Sequence, residues 1–150
     1  MMTEIREALI GDVNSIQILV TSLSNYYLSE GSNSLPQWFQ DTVTEASFLT
    51  RIQSSEYKNF VYIIENKIIG YISIKSNSHI YHLFVLEAYQ RNGISRQLWS
   101  HAKAHCLSSH YTVRSSAFAI PIYKKFGFVE VGELARKDGI SYLSMKLDLI

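Results

Sequence analysis

Apolar residues recur along this chain with two periods, and each period marks a kind of element. Ile5, Ala8 and Leu9 give residues 4–9 the outline of a short strand. Gly11-Asp12 then turns the chain, with Asp12 placed to cap a following helix. In that helix Val13, Ile16, Ile18, Leu19, Val20 and Leu23 recur at intervals of three and four, so one face is set to pack on a sheet. Residues 29–37 concentrate Ser, Gly, Asn and Pro and read as a loop, with Trp38 and Phe39 directly after it. Residues 44–52 read as a second helix.

From there the pattern changes to strand. Phe60-Val61-Tyr62-Ile63-Ile64 is β-branched and aromatic, Glu65-Asn66-Lys67 is a tight turn, and residues 68–74 return as the partner of a hairpin. Polar Lys75-Ser76-Asn77-Ser78 leads into a third strand over 79–85. An amphipathic helix spans 94–107, carrying Leu98, Ala102 and Cys106 four residues apart. A short strand at 111–113 and a helix over 118–126 follow, with Gly127 at the place of a left-handed cap. Strands at 128–131 and 141–147 close the chain as a hairpin turning at Lys137-Asp138-Gly139. No repeat or linker interrupts the series. One domain over residues 1–150 is expected, of mixed α+β class, a mostly antiparallel sheet flanked by helices.

Composition narrows the partners. Fourteen basic and thirteen acidic residues nearly cancel, so no strong field draws in nucleic acid or an anionic membrane, and neither is an expected partner. Cys106 stands alone and cannot form an internal disulfide, and its place on an apolar helix face makes it a packing residue rather than a nucleophile. The first residues lack the apolar run of a signal peptide, and no apolar stretch approaches the roughly 20 residues of a membrane span. A cytoplasmic protein is expected, with a homodimer left open.

An anion, if bound, must be held locally, and one segment is built for it. Gln90-Arg91-Asn92-Gly93-Ile94-Ser95 joins a strand end to a helix start, where backbone N–H groups converge and the helix dipole adds partial positive charge. Gly93 removes a Cβ that would block close approach, Ser95 is small and can donate a hydrogen bond, and Arg91 and Arg96 bring charge to the rim. Such a loop alone is also common in α/β proteins that bind nothing there.

The surrounding residues are more specific. Leu83-Phe84-Val85 ends an apolar strand before Gln90-Arg91-Asn92-Gly93-Ile94-Ser95, and Ser115-Ser116-Ala117 leads to Tyr123 and Gly127-Phe128. In order and spacing these two segments resemble the motifs of the GNAT acetyltransferase superfamily. Ser95 stands where most members have glycine or alanine, and Arg114 where many have asparagine. The resemblance implies a twisted, mostly antiparallel sheet with a splayed strand pair, acetyl-coenzyme A as acyl donor, and an amine of a small molecule or peptide as acceptor.

The resemblance also distributes roles. Backbone at Leu83 and Val85, with Phe84 between them, would pair with the pantetheine arm, and the loop residues through Arg96 would hold pyrophosphate. Tyr123 matches the tyrosine that protonates the departing sulfur. His79, six residues before Val85, falls where protein-acetylating members carry a glutamate base, and water is the alternative base. Strict alternation puts His82 on the opposite face. Tyr26, Tyr27, Trp38 and Phe39 are candidate acceptor contacts, and Glu30, Asp41 and Glu45 lie where an acidic pocket would select polyamines or lysines. No metal site is implied: His101 and His105 read as an exposed helical pair. A non-catalytic module that senses acyl-coenzyme A is the competing function.

Overall fold

The computed structural model describes residues 2–23 and 36–149. Eight strands form one sheet: β1 (Thr3–Glu7), β2 (Tyr57–Ile64), β3 (Lys67–Lys75), β4 (His79–Val85), β5 (His110–Ser116), β6 (Val129–Glu130), β7 (Ala135–Lys137) and β8 (Ile140–Asp148). Their spatial order is β1-β2-β3-β4-β5-β8-β6, with β7 also on β8. All neighbours are antiparallel except β4 and β5. The helices are α1 (Val13–Ser22), α2 (Gln37–Gln40), α3 (Glu45–Gln53), α4 (Ile94–His105) and α5 (Ile120–Lys125).

Two cores, one on each side of the sheet, hold it in place. Val13, Ile16, Leu19 and Val20 of α1 pack with Phe48 of α3 against Val61, Tyr71 and Phe84. Leu98, Trp99 and Ala102 of α4 pack with Tyr123 of α5 against Ile72, Val113, Leu143 and Met145. The central β3 is buried on both sides, which is why it reads as a continuous apolar run rather than an alternation. Cys106 lies in the α4 core, where burial pushes its thiol above the usual range, as its place on the apolar face implies. No helix among the described residues is long and apolar enough to cross a membrane.

Several expectations are corrected. Asp12 stands at the N-cap position of α1, but its side chain makes no capping bond to that helix. Its carboxylate accepts from the Leu9 N–H at 2.7 Å and from Arg6, so it closes the short 3₁₀ turn of Ile10–Asp12 instead. The last hairpin is formed by β7 and β8, while β6 lies beside the other end of β8 through Val129↔Lys146 and Glu130↔Met145. β5 runs four residues longer than the apolar trio 111–113, because its polar residues Arg114 and Ser116 still pair with β8. α5 begins at Ile120, two residues later than its pattern implied.

Candidate active site

β4 and β5 make the site by parting. They are parallel, connected through α4, and pair only at His79↔Thr112 and Ile80↔Val113. Beyond that point β5 follows β8 as far as Ser116↔Tyr142, while β4 stays on β3 to Val85. The Leu86 N–H donates to the Ile69 carbonyl at 2.8 Å, and alternate residues of an antiparallel ladder face the same neighbour. Leu83 and Val85 therefore turn their backbone N–H and C=O groups into the wedge.

Two cavities open along this wedge. The loop cavity, about 550 Å³, runs from Leu83, Phe84 and Val85 to the start of α4. Gln90, Arg91, Gly93, Ile94, Ser95 and Arg96 line it. The hairpin cavity, about 570 Å³, lies between Trp38 and Phe39 of α2, the start of β4 and the β7–β8 hairpin. Leu83, Phe84, Ser116, Ala119 and Tyr123 line both.

At the loop, Gly93 takes φ 78° and Arg91 φ 67°, a tight reversal that starts α4 without any side-chain cap. The first backbone bond of the helix runs from the Gln97 N–H to the Gly93 carbonyl at 3.0 Å, which leaves the amides of Ile94, Ser95 and Arg96 without helical acceptors. The loop is braced from within. Gln90 Nε2 donates to the Val85 carbonyl at 2.9 Å, and Asn92 Nδ2 donates to the Tyr89 carbonyl at 3.2 Å. Asn92 thus serves the turn and does not line the cavity. Arg96 donates to the Lys125 carbonyl at 3.1 Å, tying α4 to the end of α5. Arg91 lines the same cavity and makes no ion pair among the described residues.

Tyr123 is 4 % exposed and packs edge-on against Phe126 and Phe128. Burial alone pushes its phenol well above the usual range, so it remains a proton donor at neutral pH. His79 Nδ1 lies 2.8 Å from Thr112 Oγ1. Burial first, then the charges of Arg114 and Lys75, hold His79 below the usual imidazole value, which keeps it neutral at pH 7. Four residues separate it from Leu83, roughly 13 Å along an extended strand, which is beyond a direct hydrogen bond.

Alternation fails at His82. Ser73 pairs with His82 and Ile74 with Ile80, so Tyr81 is one extra residue in β4. A bulge of this kind shifts the facing by one, and His79 and His82 both line the hairpin cavity. His82 is buried among Phe48, Tyr71 and Phe84, with Nε2 unpartnered, and burial followed by the Arg51 charge holds it well below the usual value.

Trp38 and Phe39 line the hairpin cavity; Tyr26, Tyr27 and Glu30 lie outside the described residues. Asp41 accepts from Gln37 and Glu45 from Asn14, and neither lines the cavity. Sequence reasoning missed Tyr89, Phe118, Ile122 and Phe126 on the loop cavity, although the last three fall within the second motif. It also gave no role to Arg114 and Lys137, which line the hairpin cavity; only the departure from asparagine at Arg114 marked that position.

The acetyltransferase (GNAT) domain family matches residues 26–149, and the chain belongs to that family. Solved structures agree over nearly the whole length. A GCN5-related N-acetyltransferase from Rhodopseudomonas palustris superposes with TM-score 0.81 at 20% identity, covering 99% of this chain and 97% of that one. The PaiA N-acetyltransferase of Thermoplasma acidophilum, in complex with coenzyme A, gives 0.78 at 18%, with 99% of each chain covered. A mutant of the spermidine N-acetyltransferase SpeG from Vibrio cholerae gives 0.70 at 16%, covering 98% and 94%. No curated protein sequence matches the chain.

The family is an acyltransferase family that takes acetyl from acetyl-coenzyme A. The residues present fit that donor: three free amides and Arg91 at a helix N-terminus suit a pyrophosphate, and an unpaired strand edge leads from there to Tyr123.

Proposed function

We propose that the protein, acting as one domain over residues 1–150, transfers acetyl directly to a primary amine of a small molecule or peptide while donor and acceptor are both bound. The shared wall of the two cavities at Leu83, Ser116 and Tyr123 carries this reading, because it brings two ligands entering from different sides to one point.

Acetyl-coenzyme A supplies an activated thioester and a thiolate leaving group. The amides of Ile94, Ser95 and Arg96, with Arg91, hold its pyrophosphate, helped by the dipole of α4. The N–H and C=O of Leu83 and the N–H of Val85, whose own carbonyl accepts from Gln90, hold the extended arm as a further strand would, with Phe84 turned toward β3. The Val85 N–H donates to the acetyl oxygen and stabilises the charge that develops there. His79, neutral at pH 7, takes the proton of the acceptor ammonium through a chain of waters along the hairpin cavity. As the amine nitrogen bonds to the acetyl carbon and the C–S bond breaks, Tyr123 gives its proton to sulfur, and the second proton of the nitrogen, lost as the neutral amide forms, restores the phenol through solvent. The desolvation that raises Tyr123 also disfavours a bare thiolate beside it, which favours taking up the proton.

Coenzyme A release measured against a panel of amines, beside calorimetric titration of acetyl-coenzyme A, tests the whole. Binding with turnover is expected; binding without turnover on any amine would establish the non-catalytic module instead. His79→Ala should lower turnover at pH 7 at least tenfold and flatten the acid limb of the pH–rate profile. An unchanged profile would leave the proton to water alone.

A further inference from the structure

The charges of the hairpin cavity select an acceptor opposite to the one its neighbouring carboxylates implied. Arg114, Lys75 and Lys137 all line it, and no aspartate or glutamate among the described residues does. Lys75 is drawn toward Glu56 at 3.9 Å. Arg114 and Lys137 have no carboxylate partner among the described residues; Asp138, next to Lys137 in sequence, accepts from Trp38 Nε1 at 2.8 Å and does not line the cavity.

Both cations are positioned by aromatic rings. Arg114 lies over Tyr142 with its guanidinium carbon 5.4 Å from the ring centre, and Lys137 Nζ lies 5.0 Å from that of Trp38. Rings fix the side chains without neutralising them. β5 sets the spacing: Tyr111, Val113 and Ser115 are buried in or toward the α4 core, so Thr112, Arg114 and Ser116 share the other face. Thr112 touches His79, Ser116 belongs to the wall shared with the loop cavity, and Arg114 stands between them, roughly 7 Å from each along the strand.

We infer that the acceptor is an amino-acid-like amine that carries a carboxylate within a few bonds of its nitrogen, and that Arg114 binds this carboxylate with Lys137 beside it. This rests on the acetyl-transfer reading. A guanidinium fork matches a carboxylate in two parallel hydrogen bonds, and its reach from the Ser116 wall suits an amine directed at Leu83 and Tyr123. Polyamines are disfavoured, since their added positive charges would lie beside Arg114 and Lys137, which have no carboxylate partner among the described residues.

The test compares L-amino acids, their α-carboxamides and spermidine as acceptors, following coenzyme A release. kcat/KM for the amino acids should exceed that for the carboxamides by about tenfold or more. The ratio should collapse toward one in Arg114→Gln and recover only in part in Arg114→Lys, which keeps the charge but not the fork. Equal rates for the acid and the carboxamide, an unchanged ratio in Arg114→Gln, or preference for spermidine would each overturn the inference while leaving acetyl transfer intact.

Binding decides the matter without turnover. N-acetylated amino acids and their carboxamides are titrated calorimetrically into protein saturated with coenzyme A. Tighter binding of the carboxylate form, lost in Arg114→Gln, supports the inference; equal binding overturns it, even if no amine is acetylated and the transfer reading itself has failed.

Discussion

Tyr123 is one of ten tyrosines, and what distinguishes it is a position, not a residue type. It is buried against Phe126 and Phe128 yet borders both cavities, where the proposed donor and acceptor would meet. Removing that oxygen leaves the packing in place. Tyr123→Phe should therefore lower kcat at least tenfold, with the affinity for acetyl-coenzyme A measured by calorimetry almost unchanged. Wild-type turnover in the variant would take Tyr123 out of the proton path. Its spacing before Gly127-Phe128 made the residue legible in the sequence. Arg114 was legible only as a departure from a pattern, because a charge acquires a function from what surrounds it, and its surroundings are Tyr142, His79 and Lys137 from three other strands.

Among the elements, the hairpin of β2 and β3 and the strand–loop–helix unit of β4 and α4 could be read from the chain because each is local. Alternation, a turn and a helical period lie within about thirty residues of one another. β7 could not be read: Ala135, Arg136 and Lys137 have no alternation of their own and become a strand only by pairing with Tyr142, Ser141 and Ile140. The extra residue at Tyr81 was equally silent, and it brings His79 and His82 to one side. The loop before α4 offers a test with an internal control. Gly93 and Gly132 both have positive φ, 78° and 83°, and both have open space where a Cβ would stand. Either change to Ala should cost about 1–2 kcal/mol in backbone strain. Only Gly93→Ala should also weaken coenzyme A binding, by roughly tenfold, since its Cβ adds bulk where an anion approaches the α4 amides. Equal affinity in both variants would move the phosphate site away from this loop.

For the whole molecule, acid sensitivity follows from His82. Its folded pKa lies well below the usual imidazole value, so the unfolded chain binds a proton more readily, and stability rises with pH through that interval. Stability is complete above the usual value and should fall by about 1.4 kcal/mol for each pH unit below it. The more exposed His79 and His101 add smaller losses of the same sign. Thermal melts from pH 7 to pH 5 should show this decline, and His82→Phe, which keeps a ring among Phe48, Tyr71 and Phe84, should flatten it. A slope unaltered in that variant would assign the acid limb to other groups. The sequence by itself determined the mixed α+β class, the hairpin of β2 and β3, the phosphate-type loop and the place of Tyr123, because periodicity, turn residues and motif spacing are properties of neighbours along the chain. Only the tertiary structure decided where β4 and β5 part, that two cavities meet at Tyr123, and that among the described residues the second is lined by cations and by no carboxylate. Those features depend on pairings between residues tens of positions apart, which no local pattern records.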